Sequence, residues 1–165
     1  MNKPTFVMIM GAPMTGRHGV AEALSRSMGG CEIVSTQRVR AEMFPGEGFD
    51  PTQDPWLFEE CNRRVCLALE NGQSIILVGG NRKSEHRRKL VSVAKKHGCV
   101  ARCVYCARSL KSVLKANRTA GEKIPPDELE RRFRMMPSPP SYEEGWDAIY
   151  KGNVDNRNCY LKDRR

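Results

Sequence analysis

A chain of 165 residues, 39% of them hydrophobic and two of them Trp, can bury a real core within one domain and is too apolar to be intrinsically disordered. Its formal charge of +9 suits an anionic partner such as nucleic acid, or simply a solvated basic surface. The longest apolar run, residues 6–10, is too short for a membrane span or a secretory leader, so no membrane partner is expected and the expected location is the cytoplasm.

The first strand is predicted over residues 4–10. A helix follows over about 16–28, with Val20, Leu24 and Met28 on one face and Gly29-Gly30 as its stop. A second strand is predicted over 31–36 and a short helix over 37–44. The Pro- and Gly-rich stretch 45–55 reads as a loop. Asp54-Pro55 opens a helix that runs to Asn71, with Phe58, Cys61, Val65 and Leu69 inward and Gly72 as its end. Residues 74–78 are apolar throughout, as a strand buried on both faces should be. Ser84 caps a helix that runs to His97, with Leu90, Val91 and Ala94 inward. A fourth strand is predicted over 99–105 and a helix over 109–117. Pro125-Pro126-Asp127 opens another helix, with Leu129, Phe133 and Met136 inward. A short fifth strand falls within 146–153, and residues 154–165 read as a loosely held basic tail.

This alternation predicts an α/β fold: three layers, a doubly wound parallel sheet of about five strands, and one domain over 1–153 with a lid-like segment near 108–135. Ligands of such sheets sit at the carboxyl ends of the strands, here residues 11–18, 37–40, 78–83 and 107–108. The seven Cys, an odd number, come with no secretory leader and read as reduced thiols. Cys103 and Cys106 have CxxC spacing but sit on a strand, which turns them to opposite faces. No metal site is expected.

Between the first strand and its helix stands Gly11-Ala12-Pro13-Met14-Thr15-Gly16-Arg17-His18. Its skeleton is that of the phosphate loop G-x-x-x-x-G-K-[ST]. Successive amides in such a turn form an anion nest, and the helix N-terminus adds partial positive charge. The side chains depart from the pattern. Arg17 keeps the charge of Lys but is longer, planar and forked. His18 offers an imidazole where a hydroxyl would hold Mg²⁺, a cation that prefers oxygen. A nucleotide such as ATP is therefore an expected ligand, and Mg²⁺ a doubtful one.

The order and spacing of the motifs resemble the P-loop kinase family that includes the phage-type polynucleotide 5′-hydroxyl kinases, over roughly residues 4–150. In that family a strand closes in S-x-D-x-x-R, and here the segment reads Ser35-Thr36-Gln37-Arg38-Val39-Arg40. A later strand closes in D-x-T-N, and here it reads Val78-Gly79-Gly80-Asn81. Basic residues one turn into the next helix match Arg87 and Arg88. A lid Asn/Arg cluster matches Lys115-Ala-Asn-Arg118, and a closing P-x-x-x-E-G-[FW]-D loosely matches residues 140–147. The resemblance implies transfer of the ATP γ-phosphoryl to a nucleic acid 5′-hydroxyl. It puts Arg17, Gln37 and Arg118 in catalytic positions and Arg40, Asn81, Arg87 and Arg88 at the substrate.

Four chemical positions are altered: Arg17 for Lys, His18 for Ser/Thr, Gln37 for Asp and Val78 for Asp. An amide can hold a hydroxyl but cannot take its proton. The leading expectation is a degenerate kinase-fold protein that binds a nucleotide, a phosphate or a nucleic acid end with little or no phosphoryl transfer. One alternative is an active polynucleotide kinase with an atypical loop, Asp50 or Asp54 replacing the base, although a turn residue and a helix cap are the commoner roles for those acids. Another is a scaffold that binds a protein partner and no nucleotide. Most basic clusters, including Arg63-Arg64 and Arg131-Arg132, read as solvated helix faces. Trp56 and Phe58 could stack on a base, with core packing the plainer role.

Overall fold

The computed structural model describes residues 2–136, 139–155 and 158–163, the last two stretches as backbone alone from residue 153 onward. The chain runs β1 (Thr5–Gly11), α1 (Arg17–Ser27), β2 (Glu32–Ser35), α2 (Thr36–Met43), α3 (Asp54–Glu70), β3 (Ile75–Gly79), α4 (Ser84–Lys96), β4 (Val100–Cys106), α5 (Leu110–Thr119), α6 (Pro126–Arg134), β5 (Ala148–Asp155) and β6 (Asn158–Asp163). Short 3₁₀ turns at Pro51–Gln53 and Tyr142–Glu144 precede α3 and β5.

The sheet order is β2-β3-β1-β4-β5-β6. The first five strands are parallel and β6 is antiparallel to β5. β1 lies centrally between β3 and β4, in register Met8 with Leu77 and Cys103. Its apolar run from Phe6 to Met10 follows from burial on both faces. β6 occupies residues that the sequence reads as a polar tail. An antiparallel edge strand can be held by main-chain pairing alone, without an apolar run to announce it.

Alternation along the strands separates two cores. Phe6, Met8, Leu77 and Cys103 face α3 and α4 in one cluster, which also takes in Trp146. Val7, Ile9, Ile76, Val78 and Cys106 face Val20 and Ala21 of α1 in the other. Cys103 and Cys106 thus serve opposite layers as buried thiols, and desolvation pushes the Cys103 thiol far up.

The segment before β5 is held by charge. Arg87 of α4, 2% exposed, donates from Nε to Glu144 Oε2 at 2.9 Å and from Nη2 to Oε1 at 2.5 Å. Glu144 also accepts from Ser84 Oγ (3.1 Å) and Trp146 Nε1 (2.9 Å). Asp147 pairs with Lys95 and accepts the Ala101 amide at 2.8 Å. The conspicuous Glu-Glu-Gly-Trp-Asp run is therefore a structural clasp between α4 and the β4–β5 edge.

Among the described residues, no helix is long and apolar enough to cross a membrane.

Candidate functional site

At the carboxyl end of β1 the chain turns through Gly11 (φ +154°), Met14 (φ +63°) and Gly16 (φ +83°) into α1. A Cβ on Gly11 would lie 2.5 Å from the Cys106 carbonyl oxygen, so β1 can pass this close to β4 only with glycine here. Thr15 is buried and donates to the Ala12 carbonyl at 2.7 Å, closing the turn on itself. No side chain caps α1, and its first turn holds no acid. Its N-terminal dipole therefore faces whatever the loop encloses.

Arg17 folds back over the loop and donates from Nη1 to the Gly11 carbonyl at 2.9 Å. Desolvation by burial pulls its pKa down from 12.5 to about 10, so it remains a cation at neutral pH. His18 does not face the loop interior. Its Nε2 is hydrogen-bonded to Ser35 Oγ at 2.8 Å, and that oxygen also caps α2 by accepting from the Arg38 amide. Desolvation, and then the charges of Arg17 and Arg38, lower the His18 pKa below its ordinary 6.5. Both effects favour the neutral imidazole.

Beside the loop lies a cavity of about 260 Å³. Gly11, Pro13 and Arg17 border it on one side and Gly80, Asn81 and Arg82 on another. α2 and α3 contribute Thr36, Arg40, Asp54 and Asn62, and α6 with the residues after it contributes Arg131, Arg132, Met135 and Met136. Arg40 is anchored here by its ion pair to Asp54 and by donating to the Asp50 carbonyl at 3.1 Å. Phe49, in the loop after α2, lies between two guanidiniums, 5.0 Å from Arg40 and 3.9 Å from Arg132. That stack joins α6 to the α2–α3 side of the cavity.

The structure brings together only part of the set expected from the sequence. Gly11, Pro13, Arg17, Arg40 and Asn81 border the cavity, whereas Ala12 and Thr15 are buried within the turn. Asn81 takes positive φ (+47°) and its Nδ2 donates to the Ile9 carbonyl, tying the β3 exit to β1. Arg87, expected at the substrate, also borders the cavity, with its N–H groups taken by Glu144 and the Asn81 and Arg82 carbonyls. Arg88, also expected at the substrate, is exposed, does not border the cavity and donates to the Glu143 carbonyl.

Gln37, expected in place of a base, is exposed and turned away from the cavity. α2 begins at Thr36, so helical spacing aims Thr36 and Arg40 inward and carries Gln37 about a quarter-turn off. Arg118, expected as a lid arginine, is likewise exposed on α5 and away from the cavity. Its neighbour Asn117 is the buried residue, bonded through both side-chain atoms to Ile124. Val78 is wholly buried in the α1-side core and faces no ligand.

Phe49, Asn62, Arg82, His86, Met135 and Met136 border the cavity and were not singled out as site residues. An aromatic residue alone in a Pro/Gly loop was the one available signal for Phe49. The others are read as ordinary helix or loop residues until the elements are packed. Among the described residues, no group of three or more His, Cys, Asp or Glu side chains is placed to hold a metal ion.

A parallel sheet with a glycine-gated loop after its central strand, opening into a helix N-terminus, defines a P-loop kinase-like fold. The chain belongs to the AAA domain family, whose model matches residues 6–131. It is 26% identical over 145 residues to an L-seryl-tRNA(Sec) kinase of Methanococcus maripaludis; that match takes in 86% of this chain and 55% of the relative, so the chain spans about half of that protein. Among solved structures, a chain of the Pnkp1/Rnl/Hen1 RNA repair complex superposes with a TM-score of 0.66 at 16% identity, over 82% of this chain and 45% of that one. The APS kinase CysC of Mycobacterium tuberculosis, in complex with AMPPNP and APS, superposes with a TM-score of 0.56 at 18% identity, over 75% and 78% of the two chains.

Proposed function

We infer that this chain uses the kinase fold to bind a nucleotide or another phosphate-bearing ligand at the turn between β1 and α1, with little or no phosphoryl transfer. The observation that carries this reading is the engagement of His18. At the position where a hydroxyl would meet Mg²⁺, an imidazole is tied to Ser35, and the β3 tip offers only buried Val78 and two glycines. Without the metal and a positioned base, the charge that builds on a transferring phosphoryl group lacks most of its stabilisation. What remains is suited to holding an anion: the loop amides, the uncapped start of α1 and the Arg17 cation. The named kinase relative and the RNA repair neighbour keep a nucleic acid end among the ligands to be tried, and the AMPPNP-bound neighbour supports a nucleotide.

Asp54 favours a second reading, an active kinase with an atypical loop. Its carboxylate borders the same cavity as Arg17 and could receive a proton from an acceptor hydroxyl.

Thermal melting with ATP separates the readings, alongside transfer from γ-labelled ATP to a 5′-hydroxyl oligonucleotide. The inferred function requires ATP to raise the melting temperature equally with Mg²⁺ and with EDTA, and no label to move. An R17K/H18S variant, which restores the loop lysine and the hydroxyl, should then make the ATP-induced rise depend on Mg²⁺; Gln37 is left unchanged because it is turned away from the cavity. Val78 is left unchanged, because aspartate there would be buried beside Ile9 and Val20. Efficient transfer by the parent chain would establish the active kinase. No response to ATP, phosphate or oligonucleotide would leave the fold as a scaffold.

A further inference from the structure

The cavity beside the loop has a floor and a mouth of opposite character. Met8, Leu57, Cys61, Leu77 and Leu90, each 5% exposed or less, form the floor with half-buried Phe58. Desolvation raises the Cys61 thiol to about 11, so it stays protonated and adds to the apolar surface. At the mouth stand Arg82, Lys83, Arg131 and Arg132; Glu128 on α6 pairs with one edge of Arg132 through Nε and with Arg131, so the Arg132 Nη groups and Lys83 are the cations left for a ligand. Among the described residues Asp54 is the one carboxylate lining the cavity, and Arg40 is paired with it.

Two polar groups deeper in are also engaged. Asn81 donates to Ile9, and Arg87 is taken by Glu144. A hydroxyl-rich ligand would bury hydroxyls against this floor without partners, which is costly. On the wall the Asn62 amide, the Thr36 hydroxyl and the His86 ring have no side-chain hydrogen-bond partner among the described residues, which gives a ligand a few polar partners above an apolar floor. The volume of about 260 Å³ is below that of drug-sized pockets and fits roughly a single substituted ring. Ring character is favoured by Met8, Met135 and Met136, whose thioethers contact aromatic edges well, and by the Phe58–His86 edge contact already present in the wall.

We propose that this cavity binds a compact aromatic acid: its ring lies on the floor formed by Met8, Leu57 and Leu77, a ring hydroxyl meets Asn62, and its anionic group faces Arg132 and Lys83 at the mouth. This deepens the reading above by giving the class of the second ligand at the same site. It rests on that reading only for the shared border at Gly11, Pro13 and Arg17.

The test uses the full chain labelled at the methionine methyls and 4-hydroxybenzoate as the probe, followed by NMR. Saturable shifts are expected at Met8, Met135 and Met136. Benzyl alcohol, which lacks the charge, and gluconate, which lacks the ring, should each bind at least about tenfold more weakly. R132Q and K83Q, both at the mouth, should each weaken 4-hydroxybenzoate by about tenfold and leave the ATP-induced melting shift unchanged. Gluconate or a 5′-hydroxyl oligonucleotide shifting these methyls at lower concentration than 4-hydroxybenzoate would overturn the proposal, as would 4-hydroxybenzoate shifting none of them. ATP is titrated separately. An ATP response without an aromatic-acid response removes this proposal and spares the loop reading; the reverse removes the loop reading and spares this one.

Discussion

Replacing Glu144 with alanine strips the counter-ion from a guanidinium that is 2% exposed. Both side chains of the pair are 3% exposed, so solvent screens little of their attraction. The alanine leaves Arg87 with only the Asn81 and Arg82 carbonyls and orphans the donors on Ser84 and Trp146. Breaking a buried pair from one side costs about 3–5 kcal/mol, which for a chain of this length is a fall of about 6–20 °C in Tm. E144Q keeps the volume and should cost about 1–3 kcal/mol. The double variant R87M/E144L removes both charges and should recover most of the loss of E144A. Urea unfolding followed by tryptophan fluorescence measures all three.

The pH dependence adds a check on the same pair. Burial alone would raise the Glu144 carboxyl, but donation from Arg87 and Trp146 outweighs it and holds the group below its ordinary 4.5. A depressed carboxylate contributes stability that is complete above its unfolded pKa and is lost as pH falls through the folded one. E144A should therefore lose less stability than the parent on acidification below about pH 4.5. An E144A variant within about 1 kcal/mol of the parent, or a double variant no better than E144A, would refute the clasp.

Gly11→Ala should destabilise by about 3 kcal/mol or more, because its Cβ meets the Cys106 carbonyl at 2.5 Å and Thr15 Oγ1 at 2.9 Å and neither can withdraw cheaply; Gly48→Ala, with nothing within 4 Å, should stay within about 1 kcal/mol, and equal effects in urea melts would contradict this account. The His18 imidazole should titrate below 6.5 by NMR, and its contribution to stability should be complete above that pH and decline as pH falls through it, since the unfolded chain takes the proton first; a midpoint at or above 6.5 would show that desolvation does not dominate there.

The fold was legible because its signals are local. Apolar runs gave the parallel strands, and Ser109 and the Pro125-Pro126 pair marked the starts of α5 and α6. Gly72 and Gly98 follow the ends of α3 and α4 with positive φ. The loop after β1 was legible for the same reason. The rest of the site was not, because its decisive partners are distant in sequence. Nothing near Arg87 announces a carboxylate 57 residues away, so a family match placed it at the substrate and packing placed it in the core. His18 meets Ser35 across 17 residues, and Phe49 joins two arginines from separate helices. Gln37 lies a single helical step from Thr36, which borders the cavity, a difference a sequence motif does not resolve.

The clasp between α4 and the approach to β5 also bears on assembly. While the chain is being made, α4 can form as soon as its own residues emerge, yet its buried arginine must wait for a carboxylate 57 positions later. Until that carboxylate arrives, the α4 face of the nascent sheet carries an uncompensated cation and cannot dehydrate fully. The last third of the polypeptide thus acts as a timer, and the layer containing the cavity is completed only when residues 142–147 have locked down.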